Sequence, residues 1–480
     1  MSRSRSKRLA AAVLVLGVTG FLVALASSRR SDARRLDAAL AALDAEDPGW
    51  RVDGVVAAHN AAVPADDTAN VTEVMFAALA LRPPSHTARW AALSARTIPG
   101  TVWDNDRLPR DGEFCSLHEV YLDEEAGRAG SLKARHLAAG GMTFHFSEPN
   151  PFPHRFTHQF KVRYAASMLL DAATVDAYFG RGEEALQAAE SLLHLVEVTL
   201  ATEPFWLSQN IRRDELTRAT HSVQQTLAWT EPSAELANLQ AAFTRAIAVD
   251  GVTTTWRGER AVIMRTYDNV RAGELPADYF DRLISGPTVV GRAQGYRRRL
   301  AGRSLVRDQA EVLRTYNALL VAAQLSGPAR RDACNAVVSG VSPGLAHFFE
   351  GVRGAVVQES MCQSRMLCAA LGLACERYRR QFGRWPVSLA ELPVPISPAA
   401  PLDPLTGEPF AYQVVSDGAI VFSVSTMAHL RTGFTDDDIT LLNRDPPAKF
   451  RLWNPESRRR PAGHRYEVAD PPPPPPGDAP

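Results

Sequence analysis

Three histidines lie in a stretch crowded with phenylalanine: His145, His154 and His158 sit among Phe144, Phe146, Phe152, Phe156 and Phe160. Neutral imidazole is a good zinc ligand, and residues four apart share one face of a helix, so His154-x-x-x-His158 has the spacing of a two-ligand metal site. Pro153 precedes that spacing, no HExxH accompanies it and the sequence marks no third ligand. A metal-dependent hydrolase using the His145, His154 and His158 stretch is therefore the alternative, and ordinary core and loop packing is the simpler reading. Carboxylates offer a second kind of chemistry. Glu183-Glu184, Asp403 and Glu408 are acids without a visible partner, and spacing alone assigns no retaining or inverting pair. No G-x-S-x-G, Walker A or G-x-G-x-x-G occurs where a strand-to-helix turn would support it, so serine-hydrolase, nucleotide and dinucleotide chemistry lack a basis. No catalytic, cofactor-binding or metal residue is assigned, no cofactor is expected, and the chain reads as a non-enzyme that acts by binding or scaffolding.

The elements that would position these side chains are bounded by size and composition. The 480 residues suffice for two to four folded units with sizeable cores. Hydrophobic residues at 45% and charged residues at 22% exclude a disordered chain, a collagen or a multi-pass membrane protein. The 53 basic and 53 acidic residues balance, but the first 35 residues hold eight basic and one acidic, which leaves the remainder at −7. A mildly acidic body gives no electrostatic footprint for nucleic acid, and the sequence specifies no small-molecule ligand.

Leu9 to Ser28 runs twenty residues without a charge between two basic clusters. At about 1.5 Å per residue it spans the roughly 30 Å hydrocarbon core as a single-pass helix. As a signal anchor it holds the chain in a bacterial inner membrane with the body in the periplasm. Ala24-Leu25-Ala26 also fits the small-residue rule for signal cleavage, which would leave a soluble periplasmic protein. Both alternatives place the body outside the cytoplasm, where other envelope proteins are the expected partners. The five cysteines (Cys115, Cys334, Cys362, Cys368, Cys375) are odd in number, sparse, and lack C-x-x-C spacing, so buried apolar thiols are expected; a Cys334 to Cys362 bridge is the one alternative.

Helical patterning dominates the middle of the chain. Phe160, Tyr164, Met168, Leu169, Ala172, Val175 and Phe179 recur at three- and four-residue spacing, Gly180 and Gly182 close that helix, and Ala185, Ala188, Ala189, Leu192, Leu193 and Val196 form the next stripe. Further helices are expected from Pro204 to Leu227, from Glu231-Pro232-Ser233 to Asp250-Gly251, from Leu305 to Leu325, and from Leu345 to Phe382. The Gly- and Arg-containing stretch from Gly251 to Arg303 carries no assigned helix. Gly182-Glu183-Glu184-Ala185-Leu186 resembles the loop-to-helix joint of tetratricopeptide-type repeats, which implies a helical-hairpin array, although no 34-residue period persists.

A second cassette covers Leu367 to Leu441. A helix carrying Leu371, Leu373, Ala374, Tyr378 and Phe382 stops at Gly383; Arg384-Trp385-Pro386, a turn of helix at Ser388 to Leu392, and Pro401-Leu402-Asp403-Pro404-Leu405-Thr406-Gly407-Glu408-Pro409-Phe410 follow. Phe410, Tyr412 and Val414 alternate before Ser416-Asp417-Gly418, and Ile420, Phe422 and Val424 alternate after it, as in a hairpin that buries one face against Leu371, Ala374 and Tyr378. This order resembles the C-terminal soluble part of type II secretion pseudopilins, and is similar to a cassette of large envelope proteins of high-GC bacteria. The resemblance implies a helix-covered sheet and an envelope role. In major pseudopilins a loop similar in position to Thr435-Asp436-Asp437-Asp438-Ile439 binds calcium; here Ser425 to His429 lacks the accompanying Gly and acid, and a solvated acidic turn is expected. Gly20-Phe21 lies within the apolar run with no Glu after it, unlike a pseudopilin processing site.

The expected chain is thus mainly α, with an N-terminal anchor or signal (1–30), a helical and irregular region (31–157), a helical hairpin array (158–343), a long helix with the small α+β module (344–455), and a proline-rich disordered tail (456–480).

Overall fold

The computed structural model describes residues 30–64, 118–122, 125–133, 157–232, 236–276, 305–343, 345–393, 401–424 and 448–459, with isolated positions between them. The apolar run 9–28, His145, His154, Cys115, Asp436 to Asp438 and the proline-rich tail lie outside the described stretches. The architecture is mostly helical with a small antiparallel sheet.

Helix α1 (30–46) breaks at Asp47-Pro48-Gly49 and is followed by α2 (Val52–Ala62). After α3 (Ala126–Lys133) come α4 (Thr157–Tyr178), α5 (Gly182–Leu200), α6 (Trp206–Trp229) and α7 (Leu236–Ala248). The expected stripe on α4 is corrected at both ends, because Phe160 is 63% and Phe179 47% exposed. Its core residues are Val162, Ala165, Ala166, Leu169, Ala172 and Ala173. This helix packs against α5, α6 and α3 at once, so small residues at close approaches, not one stripe of large ones, define its buried surface.

The Gly- and Arg-containing stretch after Gly251, to which the sequence pattern assigns no helix, begins with α8 (Gly251–Ala272). Asp250 caps it, accepting from Thr253 N at 3.1 Å and Thr253 Oγ1 at 2.7 Å. Val252, Trp256, Ile263 and Tyr267 form its apolar face. Helix α9 (Leu305–Ala323) ends before Gly327-Pro328, which instead starts α10 (Gly327–Ser339), since proline suits the first helical turn. Helix α11 (Glu350–Phe382) runs 33 residues after a short 3-10 turn.

Two apolar cores share α11. Its later part, Met366 to Tyr378, joins Leu169, Leu192, Leu216 and Phe243 of α4 to α7. Its start, Val352 and Val356, joins Leu36, Leu43 and Trp50 from the N-terminal helix and loop and Trp256, Leu313 and Leu319 of α8 and α9.

The sheet order is β1-β2-β3, with β1 (Ala411–Val415), β2 (Gly418–Phe422) and β3 (Lys449–Trp453). Leu371, Ala374 and Tyr378 cover it as expected, and Phe410 and Tyr412 pack on that core. On β2, however, the residues against the helix are Ala419 and Val421, while Ile420 and Phe422 are half-buried. The two-residue turn Ser416-Asp417 pairs Val415 with Gly418, so Tyr412 opposes Val421 and the buried parity changes from even to odd. Gly418 is required there: its φ is +156, and a Cβ would lie 2.0 Å from Leu452 O. Strand β3 was not expected; it sets Phe450 and Leu452 on the buried face, and its outer Arg451 N donates to Gln224 Oε1 of α6 at 2.8 Å. Gly372 of α11 lets the Phe450 ring approach, since a Cβ there would be 2.3 Å from Phe450 Cδ1.

Candidate functional site

Among the described residues, those of possible chemical interest fall into buried assemblies and an open groove. His158, on the first turn of α4, is buried and does not face solvent. Its Nε2 lies 2.9 Å from Glu203 Oε1, in the short loop between α5 and α6. Ser208 Oγ donates to Glu203 Oε2 at 2.6 Å, and Gln159 Nε2 donates to Ser208 Oγ at 2.5 Å. Gln209 Nε2 donates to Leu200 O at 2.7 Å and Glu203 O at 2.9 Å, satisfying carbonyls at the end of α5. His59 Nδ1 reaches Thr202 Oγ1 at 3.1 Å in the same loop. Serine, acid and imidazole are all present, but their order is not that of a hydrolytic triad. There the imidazole must bridge serine and acid, whereas here the carboxylate lies between Ser208 and His158 and the imidazole does not reach the serine hydroxyl. The assembly ties α2, α4, α5 and α6 together. Nothing in the sequence flagged Glu203, because its partner His158 is 45 residues away.

Asp403 has found its partners. It is buried on the cassette's loop and accepts from Ser364 Oγ at 2.5 Å, Leu405 N at 3.0 Å, Thr406 Oγ1 at 3.2 Å and Ser423 Oγ. Arg331 Nη1 of α10 donates to Leu405 O at 3.2 Å. The Asp-Pro-Leu-Thr-Gly phrase is therefore a joint between the loop, α11 and α10, while Glu408 is exposed beside it. Cys334 and Cys362 are free thiols in different cores, which corrects the bridge considered from sequence. Burial pushes both thiols up to about 11, so they stay neutral at physiological pH.

Between α4 and α6, Arg218 Nη1 donates to both oxygens of Glu215 at 3.1 and 2.9 Å, and Arg218 Nη2 to Ser167 Oγ at 3.2 Å. Desolvation raises the Glu215 carboxyl despite that guanidinium, and pushes neighbouring Asp171 up to about 8. Tyr164 OH donates to Glu125 Oε1 at 3.0 Å nearby.

The groove lies between α5 and α7. Glu183, Glu184, Gln187, Glu190 and Asn238 line it over a floor of Leu186, Leu236 and Leu239, and it encloses about 390 Å³. Glu183 and Glu184 occupy the first turn of α5, where the helix dipole favours negative charge. Neither they nor Glu190 make an ion pair or hydrogen bond among the described residues. These acids were visible in the sequence; the facing wall, supplied from α7 by Asn238, was not.

Among the described residues no cluster of three or more His, Cys, Asp or Glu could hold a metal ion, and no helix is long and apolar enough to cross a membrane. No family model, curated protein or solved structure matches the chain.

Proposed function

We propose that the chain is a membrane-anchored, extracytoplasmic binding or scaffold protein that offers the α5–α7 groove to a cationic segment of another envelope protein. The observation that carries this reading is the set of three carboxylates, Glu183, Glu184 and Glu190, unpaired among the described residues, around a concavity of about 390 Å³. Lys and Arg side chains match it: their charged ends meet the carboxylates and their aliphatic stems lie on Leu186, Leu236 and Leu239. Anchoring rests on the uncharged run 9–28, or export alone if the chain is cleaved after Ala26. Hydrogen bonding of His158 to Glu203 favours a packing role over a metal-hydrolase role for that histidine.

A photo-cross-linking amino acid at Gln187, in cells, tests the reading. A discrete adduct with an envelope protein is expected, and Glu183→Lys with Glu184→Lys should remove it. An alkaline phosphatase fusion after residue 100 should be active; an inactive fusion contradicts the location. A second reading, a component associated with a secretion apparatus, draws support from α11 laid across the three-stranded sheet. Co-purification with pseudopilin-like partners would favour it.

A further inference from the structure

Several arginines of the described residues meet an acid. Arg51 pairs with Asp44 at 2.9 Å, Arg257 with Asp47 at 2.8 Å and Arg265 with Asp53 at 3.0 Å. Among the described residues, Arg30, Arg34 and Arg35 of α1 do not. All three are exposed, Arg34 Nε reaches only Arg30 O at 3.4 Å, and none forms an ion pair with Asp32 or Asp37. Residues 29–35 hold four arginines and one aspartate, a net +3 beginning directly after the uncharged run 9–28.

The helix that carries them is fixed to the body. Leu36 and Leu43 enter the second core, Trp50 Nε1 donates to Asp44 Oδ1 at 2.8 Å, and Asp47 is gripped by Arg257 and by buried Arg260 at 2.9 Å. The three arginines therefore lie on the turns of α1 that directly precede its buried Leu36. At about 1.5 Å per residue, Arg30 to Arg35 extend over roughly 8 Å of helix, comparable with the headgroup layer of about 5 to 8 Å outside the hydrocarbon.

We infer that Arg30, Arg34 and Arg35 form a binding surface for anionic phospholipid headgroups, which holds α1 and the body against the bilayer. The inference rests on the anchor reading, because the apolar run sets these arginines at headgroup depth. Guanidinium binds phosphate with paired, charge-assisted hydrogen bonds, and clustered cations next to a membrane segment are drawn to anionic lipid.

The test uses the purified full-length chain in detergent, titrated with fluorescent phosphatidylglycerol and, separately, phosphatidylcholine. Phosphatidylglycerol is expected to bind at least about tenfold more tightly, with the preference lost in R30Q/R34Q/R35Q and in 0.5 M salt. Equal binding of the two lipids, or a preference that survives the triple substitution, overturns the inference. Carbonate extraction of membranes reports the anchor separately: a chain released by carbonate would refute the anchor while the lipid preference is still read. An unchanged melting temperature for the triple variant, whose sites are exposed, confirms that lost preference is not lost folding.

Discussion

The two ends of helix α5 treat their acids in opposite ways. At the N-terminal end Glu183 and Glu184 are exposed, unpaired within the described chain and favoured by the helix dipole. Just past the C-terminal end Glu203 is buried where the helix's own carbonyls repel it, and it is held by His158, Ser208 and Gln159. The first arrangement leaves charge available to a partner; the second consumes it in joining helices. A buried acid such as Glu203 is already committed to other side chains, whereas Glu183 and Glu184 remain exposed at the groove.

The largest expected effect separates these ends. Glu203→Ala leaves buried donors unpaired and should cost about 3–5 kcal/mol, read from urea unfolding; a loss near zero would mean that the network does not hold the loop. Gly372→Ala, remote from both ends, sets a packing reference: its methyl must displace the Phe450 ring, at about 1–3 kcal/mol.

Asp171 sharpens the comparison with a sign. Its folded-state carboxyl titrates near 8 against an ordinary value of 3.8, so the folded chain holds the proton more tightly. Its destabilising contribution is absent below pH 4 and grows as pH rises to about 8, so stability should fall across that window. Glu259 shifts the same way but only to about 6. Asp171→Asn should therefore flatten the pH 6–8 part of the melting-temperature profile, and an unchanged slope there would assign the slope to another group. The smallest effect belongs to the groove: Glu184→Ala should alter stability by no more than about 0.5 kcal/mol.

Much of this framework could be read from the sequence, and the failures have physical causes. Helices α4 to α7 and α11 showed three- and four-residue periodicity, and Gly383 marked the end of α11 correctly. Helix α8 is hard to read from its pattern because the buried Arg260, ion-paired with Asp47, interrupts its apolar face. Strand β3 is five residues long and far from its partner in sequence, so its Phe450 and Leu452 alternation was too brief to register. Burial on β2 depended on a turn length that shifts parity, which hydrophobic alternation alone did not fix. The groove acids were legible as residues, whereas the facing wall and the Glu203 network required long-range contacts.

The central claim is that the groove carboxylates are free to bind while the buried ones are not. Its most direct test is calorimetric titration of the full chain with a short Arg- and Lys-rich amphipathic peptide, in parallel with Glu183→Gln/Glu184→Gln/Glu190→Gln. Saturable binding is expected, weakened by about tenfold or more in the triple variant at an unchanged melting temperature. No binding by the native chain, or equal binding by the triple variant, would contradict the account.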